Sequence, residues 1–161
     1  MEKKKVKIKA AVEPKSRVIV SVRDKNGKDN ALVVACCCNC SISPPMVMVG
    51  IMPSKYSYHM IKENPSFVVN LVSKNQRDIY NYLGSVSGRD EDKLDKINKR
   101  DGDIVNASIL TDCPVNIECT VINSIITGSH EMFIGKVECI HADEDIINEK
   151  GDIDYSKIDF I

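Results

Sequence analysis

A hairpin signal near the N-terminus constrains the fold of this chain more than any other feature. Asn26-Gly27 is the residue pair that gives the strongest short signal for a hairpin of antiparallel strands. The segment before it, residues 17–23, alternates apolar and polar side chains, which is typical of a strand. The segment after it, residues 31–38, is mostly apolar and predicts a return strand buried on both faces. Strands paired in this way exclude a simple alternation of parallel strands and helices.

Strand patterns dominate the rest of the chain, and short helical patterns interrupt them. Runs of β-branched and apolar residues predict four further strands, at residues 46–51, 66–72, 115–126 and 132–140. Three short helices are predicted: residues 54–64 with a serine cap and Pro65 at the end, residues 75–83 closed by Gly84, and residues 90–97. The residues alone therefore predict a mainly β fold, an antiparallel barrel or sandwich with helical insertions.

Length and charge limit the classes of protein to which the chain can belong. Its 161 residues fit one domain, and its formal net charge of -1 argues against a dedicated nucleic-acid binder. No apolar run reaches the roughly 18 residues of a membrane helix, and the lysine-rich start lacks the apolar region of a secretory signal. We therefore expect a cytoplasmic single domain over residues 1–161, without nucleic-acid or membrane partners. Residues 1–13 would form an N-terminal arm or strand, and residues 143–161 a weakly patterned tail.

Four of the seven cysteines crowd into one short segment, as Cys36, Cys37, Cys38 and Cys40. Thiolates are soft metal ligands, so one interpretation is a metal or iron–sulfur site. Successive side chains of a strand point to opposite faces, however, so one strand cannot direct all four at one ion. The alternatives are small residues of a buried strand, or a close approach of the backbone to a flat ligand. No metal ligand is assigned.

Two polar segments are candidate anion sites. Residues 53–57 include Ser54, Lys55 and Ser57 at the start of a predicted helix, where free N–H groups and a partial positive charge favour an anion. A plain helix cap with an exposed lysine is the alternative. The polar loop 85–90 with Lys93 is a second candidate for holding phosphate. His130 lies at a strand connection, a common position for functional side chains, although a lone histidine is often structural.

The order of these segments resembles the flavin reductase-like, FMN-binding split-barrel family, which includes flavoredoxins. The first hairpin, the Ser43-Pro44-Pro45 strand and the Phe67-Val68-Val69-Asn70-Leu71 strand follow one another as in that family. Ser129-His130, followed by Phe133-Ile134-Gly135-Lys136-Val137, is similar to the family's G-D-H-x-x-F-x-G-x-V signature. Where the family has a Ser- and Thr-rich segment, this chain has Cys-Cys-Cys-Asn-Cys, which keeps the small size and loses the hydroxyl groups.

The resemblance implies a Greek-key split β-barrel that forms homodimers, with FMN bound near the subunit interface. Residues 36–41 would line the flavin ring and ribityl chain, residues 54–57 would contribute to the phosphate site, and Ser87 and Lys93 would lie near the phosphate or the ring. His130 would be the catalytic residue, beside the ring where the hydride donor stacks. The implied cofactor-binding residues are Asn30, Cys36, Cys37, Cys38, Asn39, Cys40, Ser41, Met52, Pro53, Ser54, Lys55, Tyr56, Ser57, Ser87 and Lys93.

The activity that the resemblance implies is transfer of electrons from NADH or NADPH through bound flavin. The acceptors would be free flavin, ferric complexes or a protein. One alternative is a flavoredoxin-like electron carrier that does not use pyridine nucleotides. The other is a metal protein built around the cysteine segment.

Overall fold

Nine β-strands and two α-helices form the regular structure in the computed structural model, which describes residues 1–161. The strands are β1 Val18–Arg23, β2 Asp29–Val34, β3 Cys37–Ile42, β4 Pro45–Ile51, β5 Ser66–Leu71, β6 Lys99–Asp101, β7 Ser108–Leu110, β8 Val115–Ile126 and β9 Glu131–Ala142. The helices are α1 Tyr56–Glu63 and α2 Arg77–Ser85. No helix has the length and hydropathy needed to cross a membrane. The prediction of a mainly β fold with short helices is confirmed.

Seven strands form one sheet in the order β2-β1-β5-β8-β9-β4-β3, and every neighbouring pair is antiparallel. The two outer strands, β2 and β3, follow each other in the chain. The sheet therefore curls so that its edges approach each other, and β2 contacts β4. The Gly50 N–H donates to the Cys36 carbonyl at 2.9 Å, which extends the β3–β4 pairing into the connection from β2. This gives the predicted antiparallel barrel. The short strands β6 and β7 form a separate hairpin.

The barrel interior holds the alternate side chains of its strands. Val20, Val49 and Phe67 are fully buried there, together with Met60 and Ile61 of α1, which covers one end. The Phe67 ring packs directly on the backbone of β9, since a Cβ atom on Gly135 would lie 2.5 Å from the ring. A smaller apolar cluster under α2 fixes that helix and the loop after it against β1 and β2. These contacts position the loops at the end of the barrel near α1.

The predicted return strand over residues 31–38 is wrong, because the structure divides it. β2 ends at Val34 and pairs with β1, whereas β3 starts at Cys37 and pairs with β4. The chain passes from one edge of the sheet to the other between β2 and β3. The two segments therefore cannot pair with the same neighbouring strand. β3 is also an edge strand, and Cys38, Asn39 and Cys40 are exposed rather than buried.

The helix predictions need three corrections. Helix α1 starts at Tyr56 with Lys55 as its N-cap residue, and no side chain caps it, so the serine cap is wrong. Gly84 does not close α2, which continues to Ser85; it lets the helix pack against Val33, whose Cγ2 atom would be 3.3 Å from an added Cβ atom. Residues 90–97 form turns and not a helix, since the burial of Lys93 and Leu94 decides the local conformation.

The two ends of the chain differ in how they pack. Residues 1–13 have no regular structure and are exposed. The tail over residues 143–161 contains two short 3-10 helices, Glu144–Ile146 and Tyr155–Lys157. It packs Ile146 and Ile158 against Val115 and so belongs to the domain. Strands β6 and β7 were not predicted, because three residues are too few for a periodic signal.

Candidate functional site

A cavity of about 260 Å³ lies between the start of α1, strand β2 and the loop after α2. We call it the basic pocket. Seven residues that the sequence predicted for cofactor binding line it: Asn30, Ser54, Lys55, Tyr56, Ser57, Ser87 and Lys93. Leu83, Gly88 and Arg89 are among the other lining residues, and none of the lining residues is acidic. Three segments far apart in the sequence therefore meet in one cationic cavity.

The wall between β2 and α1 is held by a buried hydrogen bond. The Asn30 side-chain amide donates to Ser57 Oγ at 2.8 Å, and both residues are almost fully buried. Gly88 packs tightly on Asn30 and on Tyr56. A Cβ atom there would lie 2.6 Å from the Tyr56 ring and 2.8 Å from Asn30 Oδ1. The pocket wall is therefore set before any ligand arrives.

Lys93 supplies a buried positive charge to the pocket. Its ammonium group donates to the carbonyl oxygens of Leu83 and Val86, each at 2.9 Å, and the residue is 4 % exposed. Burial, and secondarily the charge of Lys55, lower the pKa of Lys93 to about 8. An anion in the pocket would offset both effects, because it supplies the charge that the site lacks.

Two further cations lie beside the aromatic ring at the pocket edge. Lys28 Nζ is 4.9 Å from the centre of the Tyr56 ring and 3.2 Å from its hydroxyl oxygen. The Arg89 guanidinium lies 5.9 Å from the same ring centre. Sequence reasoning missed both residues as candidates. Arg89 belongs to the polar loop 85–90, which the sequence indicates as a candidate phosphate site, so its position could have identified it. Lys28 lies in a hairpin turn, and no pattern in the sequence indicates a role in binding.

The start of α1 contributes backbone donors to the same cavity. No side chain caps the helix, and its first turn contains no acidic residue. The first N–H groups of a helix have no intrahelical partner and carry a partial positive charge, which favours an anion. Lysine side chains, a helix start and serine hydroxyl groups together make the basic pocket suitable for a phosphate group.

The cysteine segment lies close to the basic pocket but does not line it. Cys36 is hydrogen-bonded to Gly50, and Ser54 of the pocket follows Gly50 by four positions, a span of at most about 14 Å. Cys36, Cys38 and Cys40 are exposed. Cys37 points towards the core, and burial raises the pKa of its thiol to about 12. The register shift at Cys40 marks a bulge in β3.

Cys37, Cys38 and Asn39 line a different, mainly apolar cavity of about 470 Å³, together with Tyr155 and Phe160 of the tail. The structure thus separates the predicted residues into a basic pocket and an adjacent edge strand.

His130 lies at the same end of the barrel, in the connection between β8 and β9. Ile51 pairs with Glu131 in the sheet, so Met52 and Pro53 leave β4 beside His130. The His130 Nδ1 atom is 2.7 Å from Ser129 Oγ, and the ring is partly exposed. His130 does not line the basic pocket. It lies instead beside Met52 and Pro53, which connect the end of β4 to the pocket.

The comparisons with known proteins agree on one family. The model of the "Flavin reductase like domain" matches residues 13–155. The flavoredoxin of Methanosarcina acetivorans is 27% identical, with a TM-score of 0.91 over 99% of this chain and 85% of the other. The flavoredoxin of Desulfovibrio vulgaris (Miyazaki F) is 26% identical, with a TM-score of 0.89 over 97% and 85%.

A curated relative from Acinetobacter baylyi, named FMN reductase (NADH), is 26% identical over 105 residues, which are 64% of this chain and 54% of the relative. The chain spans 66%, 49% and 54% of the length of the first three curated relatives that it matches. A flavin reductase with a split barrel domain from Shewanella frigidimarina has the same fold, with a TM-score of 0.81 at 17% identity, over 91% of this chain and 76% of the other. The predicted split-barrel architecture is confirmed.

Proposed function

Because this chain belongs to the flavin reductase-like family, we propose that it is an FMN-binding oxidoreductase. Electrons would come from NADH or NADPH and leave to free flavin, ferric complexes or a protein acceptor. The observation that carries the proposal is the basic pocket, in which Lys55, Arg89 and the buried Lys93 meet without any acidic residue. Its position next to the cysteine segment suits a ligand with an anionic end and an extended body.

The residues at this end of the barrel fit FMN in size and charge. The basic pocket offers the phosphate group lysine side chains, serine hydroxyls and the N–H groups of α1. The exposed small side chains of Cys36, Cys38 and Cys40 allow a flat ring to approach the backbone of β3. A bulge and an edge position both leave backbone N–H groups without a strand partner. These groups would replace the hydroxyl donors that the cysteine segment lacks.

In this proposal the bound flavin supplies the redox chemistry, and the protein supplies position and electrostatics. The basic pocket would hold the phosphate end, and the backbone of β3 would donate hydrogen bonds to the edge of the ring. His130 would orient the nicotinamide of the donor. No side chain of the chain acts as a nucleophile.

A titration of the flavin-free protein with FMN tests the pocket assignment. Lys55→Ala combined with Arg89→Ala is expected to weaken FMN binding by about 1–3 kcal/mol, the range for charge-assisted hydrogen bonds. Both side chains are exposed, so their removal leaves the core intact. Lys150→Ala removes an exposed charge outside the pocket and serves as the matched control. Equal FMN affinity in all three proteins would contradict the assignment.

Stopped-flow reduction by NADH tests the role of His130. His130→Ala is expected to slow reduction by at least about tenfold through loss of orientation, while FMN affinity changes little. Ser129→Ala removes only the partner of the imidazole and should have a smaller effect. Identical reduction rates in the parent and in His130→Ala would remove His130 from the site.

The flavoredoxin likeness over nearly the whole chain favours a second candidate, an electron carrier that does not react with pyridine nucleotides. Anaerobic mixing of the FMN-loaded protein with NADH and, separately, NADPH distinguishes the two. Bleaching of the flavin absorption within seconds supports the reductase. A flavin that stays oxidised with both donors but is reduced by dithionite supports the carrier.

A further inference from the structure

A second group of reactive side chains lies outside the basic pocket, where the β6–β7 hairpin meets β8 and β9. It consists of Asp103 from the loop after β6, Glu118 of β8, and Cys139 and His141 of β9. One ligand-type atom of each residue lies within 4.8 Å of the corresponding atoms of the other three. We call these four residues the thiol–imidazole–carboxylate cluster. It shares no residue with the basic pocket.

A bulge in β9 brings the cluster together. Glu118 pairs with Cys139 and Cys119 pairs with Val137, so Glu138 is an extra residue in β9. Bulges redirect side chains and are common beside functional sites. Here the bulge sets the register so that Cys139 lies opposite Glu118. His141, two residues further on, shares the face of Cys139 because the side-chain period of a strand is two.

The distances within the cluster are close to those around a tetrahedral metal ion. Cys139 Sγ lies 3.5 Å from His141 Nε2. A zinc ion with bonds of about 2.3 Å to sulfur and about 2.05 Å to nitrogen separates these atoms by about 3.6 Å. Asp103 Oδ2 lies 3.9 Å from His141 Nε2, and Glu118 Oε1 lies 2.6 Å from it. To admit an ion, the Glu118 distance must widen by roughly 0.8 Å and the Asp103 distance must shorten by roughly 0.5 Å.

Glu118 is held rigidly for this role. Its side chain is fully buried, and its carboxylate accepts hydrogen bonds from the backbone N–H groups of Asp103, Ile104 and Val105, each at 2.8 Å. Oε1 accepts only one of these three, so its remaining lone pair faces His141. The ion would take the position between Oε1 and Nε2 that a shared proton occupies in its absence.

Arg100 is the one cation already at the cluster. Its guanidinium group lies 2.8 Å from Asp103 Oδ1 and 3.4 Å from His141 Nδ1. With an ion on Nε2, the Nδ1 atom carries the proton, and Arg100 must turn away from it. The side chains of Arg100 and Asp103 are about half exposed, which makes this rotation inexpensive and leaves an entry path for the ion.

We propose that Asp103, Glu118, Cys139 and His141 bind one zinc-class divalent ion, which fastens the β6–β7 hairpin to the main sheet. Thiolate, imidazole and carboxylate donors together suit Zn²⁺, whereas Mg²⁺ and Ca²⁺ take oxygen ligands. Four protein ligands close the coordination sphere, so the ion has a structural role. The site is independent of flavin binding.

Zinc titration of chelator-treated protein by calorimetry, with metal analysis of the re-loaded protein, tests the site. The parent is expected to bind one Zn²⁺ per chain. Asp103→Ala and Cys139→Ser should each weaken binding by more than about 100-fold, beyond the 10–100-fold effect of an outer-shell partner. Cys40→Ser removes an exposed thiol of β3 and is the matched control, with unchanged affinity expected.

Cobalt provides a second readout, because a thiolate ligand gives Co²⁺ an intense charge-transfer absorption that Cys139→Ser should abolish. Asp103 is an exposed loop residue, so Asp103→Ala stays folded and decides the matter if Cys139→Ser does not fold. Three results would overturn the proposal: no Zn²⁺ binding by the parent, full affinity in a folded Asp103→Ala protein, or loss of binding in Cys40→Ser.

Discussion

Lys93 is the one lysine that the fold buries, and its surroundings give the basic pocket a pH response. Burial lowers the pKa of its ammonium group to about 8, with Lys55 as a smaller cause. A phosphate anion prefers the charged form and therefore raises this pKa when it binds. In the free protein the charged form dominates only below about pH 8, so the affinity for an anion depends on pH just above neutrality.

We expect FMN affinity to be highest near pH 7 and to fall as the pH rises past about 8, by up to about tenfold per pH unit, because binding then requires uptake of one proton. Fluorescence titration of flavin-free protein between pH 6.5 and 9.5 measures this dependence. Lys93→Met removes the titrating group and should give weaker binding with a flat profile above pH 7. A parent profile that is equally flat would show that Lys93 does not contact the anion.

Gly88 is a second single-residue determinant of the pocket. A methyl group there would clash with Tyr56 and Asn30, since the contacts of its Cβ atom would be 2.6 and 2.8 Å. Gly88→Ala should therefore lower the free energy of unfolding by about 1–3 kcal/mol and weaken FMN binding as the wall shifts. Gly128→Ala is the matched control, because its Cβ atom would meet nothing within 4 Å. Urea unfolding measures the free energy of unfolding of both variants. Equal values would show that Tyr56 and Asn30 move aside without cost and would contradict the prediction.

At the scale of elements, the start of the helical segment that carries α2 is stabilised by a reciprocal cap. Ser73 Oγ accepts from the Asn75 N–H, while the Gln76 side chain accepts from the Ser73 N–H. Leu83 of the same helix and Val86, the residue after it, present their carbonyl groups to Lys93, so the cap anchors an element that builds the pocket.

Ser73→Ala is expected to lower the free energy of unfolding by about 1 kcal/mol through loss of this cap. Asn75→Ala, at an exposed position two residues later, keeps the backbone donor and should change stability by less than about 0.5 kcal/mol. Thermal unfolding followed by circular dichroism measures both. If the Ser73→Ala protein is as stable as Asn75→Ala, water hydrogen-bonds the free N–H groups at the helix start as well as the Ser73 side chain does.

At the scale of the molecule, the hairpin of β8 and β9 exposes apolar side chains on both of its faces. Ile125 and Ile126 are 54% and 79% exposed although consecutive strand residues point in opposite directions, and Ile122 is 51% exposed. This end of the hairpin thus carries exposed apolar side chains of the kind that are common at protein interfaces. It adjoins His130 and Met132 in the same hairpin, next to the proposed cofactor site. We propose that a second copy of the chain covers it.

Sedimentation velocity tests this proposal. The parent is expected to sediment as a dimer of 17.9 kDa chains, and Ile126→Lys as a monomer, because a lysine on each copy introduces unpaired charge into the interface. Ile147→Lys, which alters an exposed isoleucine outside the hairpin, should remain a dimer. A monomeric parent at micromolar concentration would contradict the proposal.

Local patterns account for much of the fold. The Asn26-Gly27 turn, strand β8 over residues 115–126 and the helix before Pro65 are each encoded by neighbouring residues, through turn chemistry and side-chain periodicity. The same local reading fails where packing decides. Gly84 stays inside α2 because the helix needs to approach Val33, and residues 90–97 remain in turns because Lys93 and Leu94 are buried beneath α2.

The sequence by itself determined which residue types are available: the hairpin, the antiparallel strands, the basic and serine-rich segments, and the cysteines. The tertiary structure decided which of them meet. Barrel closure divides residues 31–38 between two edges and exposes β3, and it brings Asn30, Ser57 and Lys93 into one pocket. The β9 bulge likewise brings Cys139 and His141 to Glu118. The physical reason is that such contacts depend on strand register and sheet closure, which many distant residues set together.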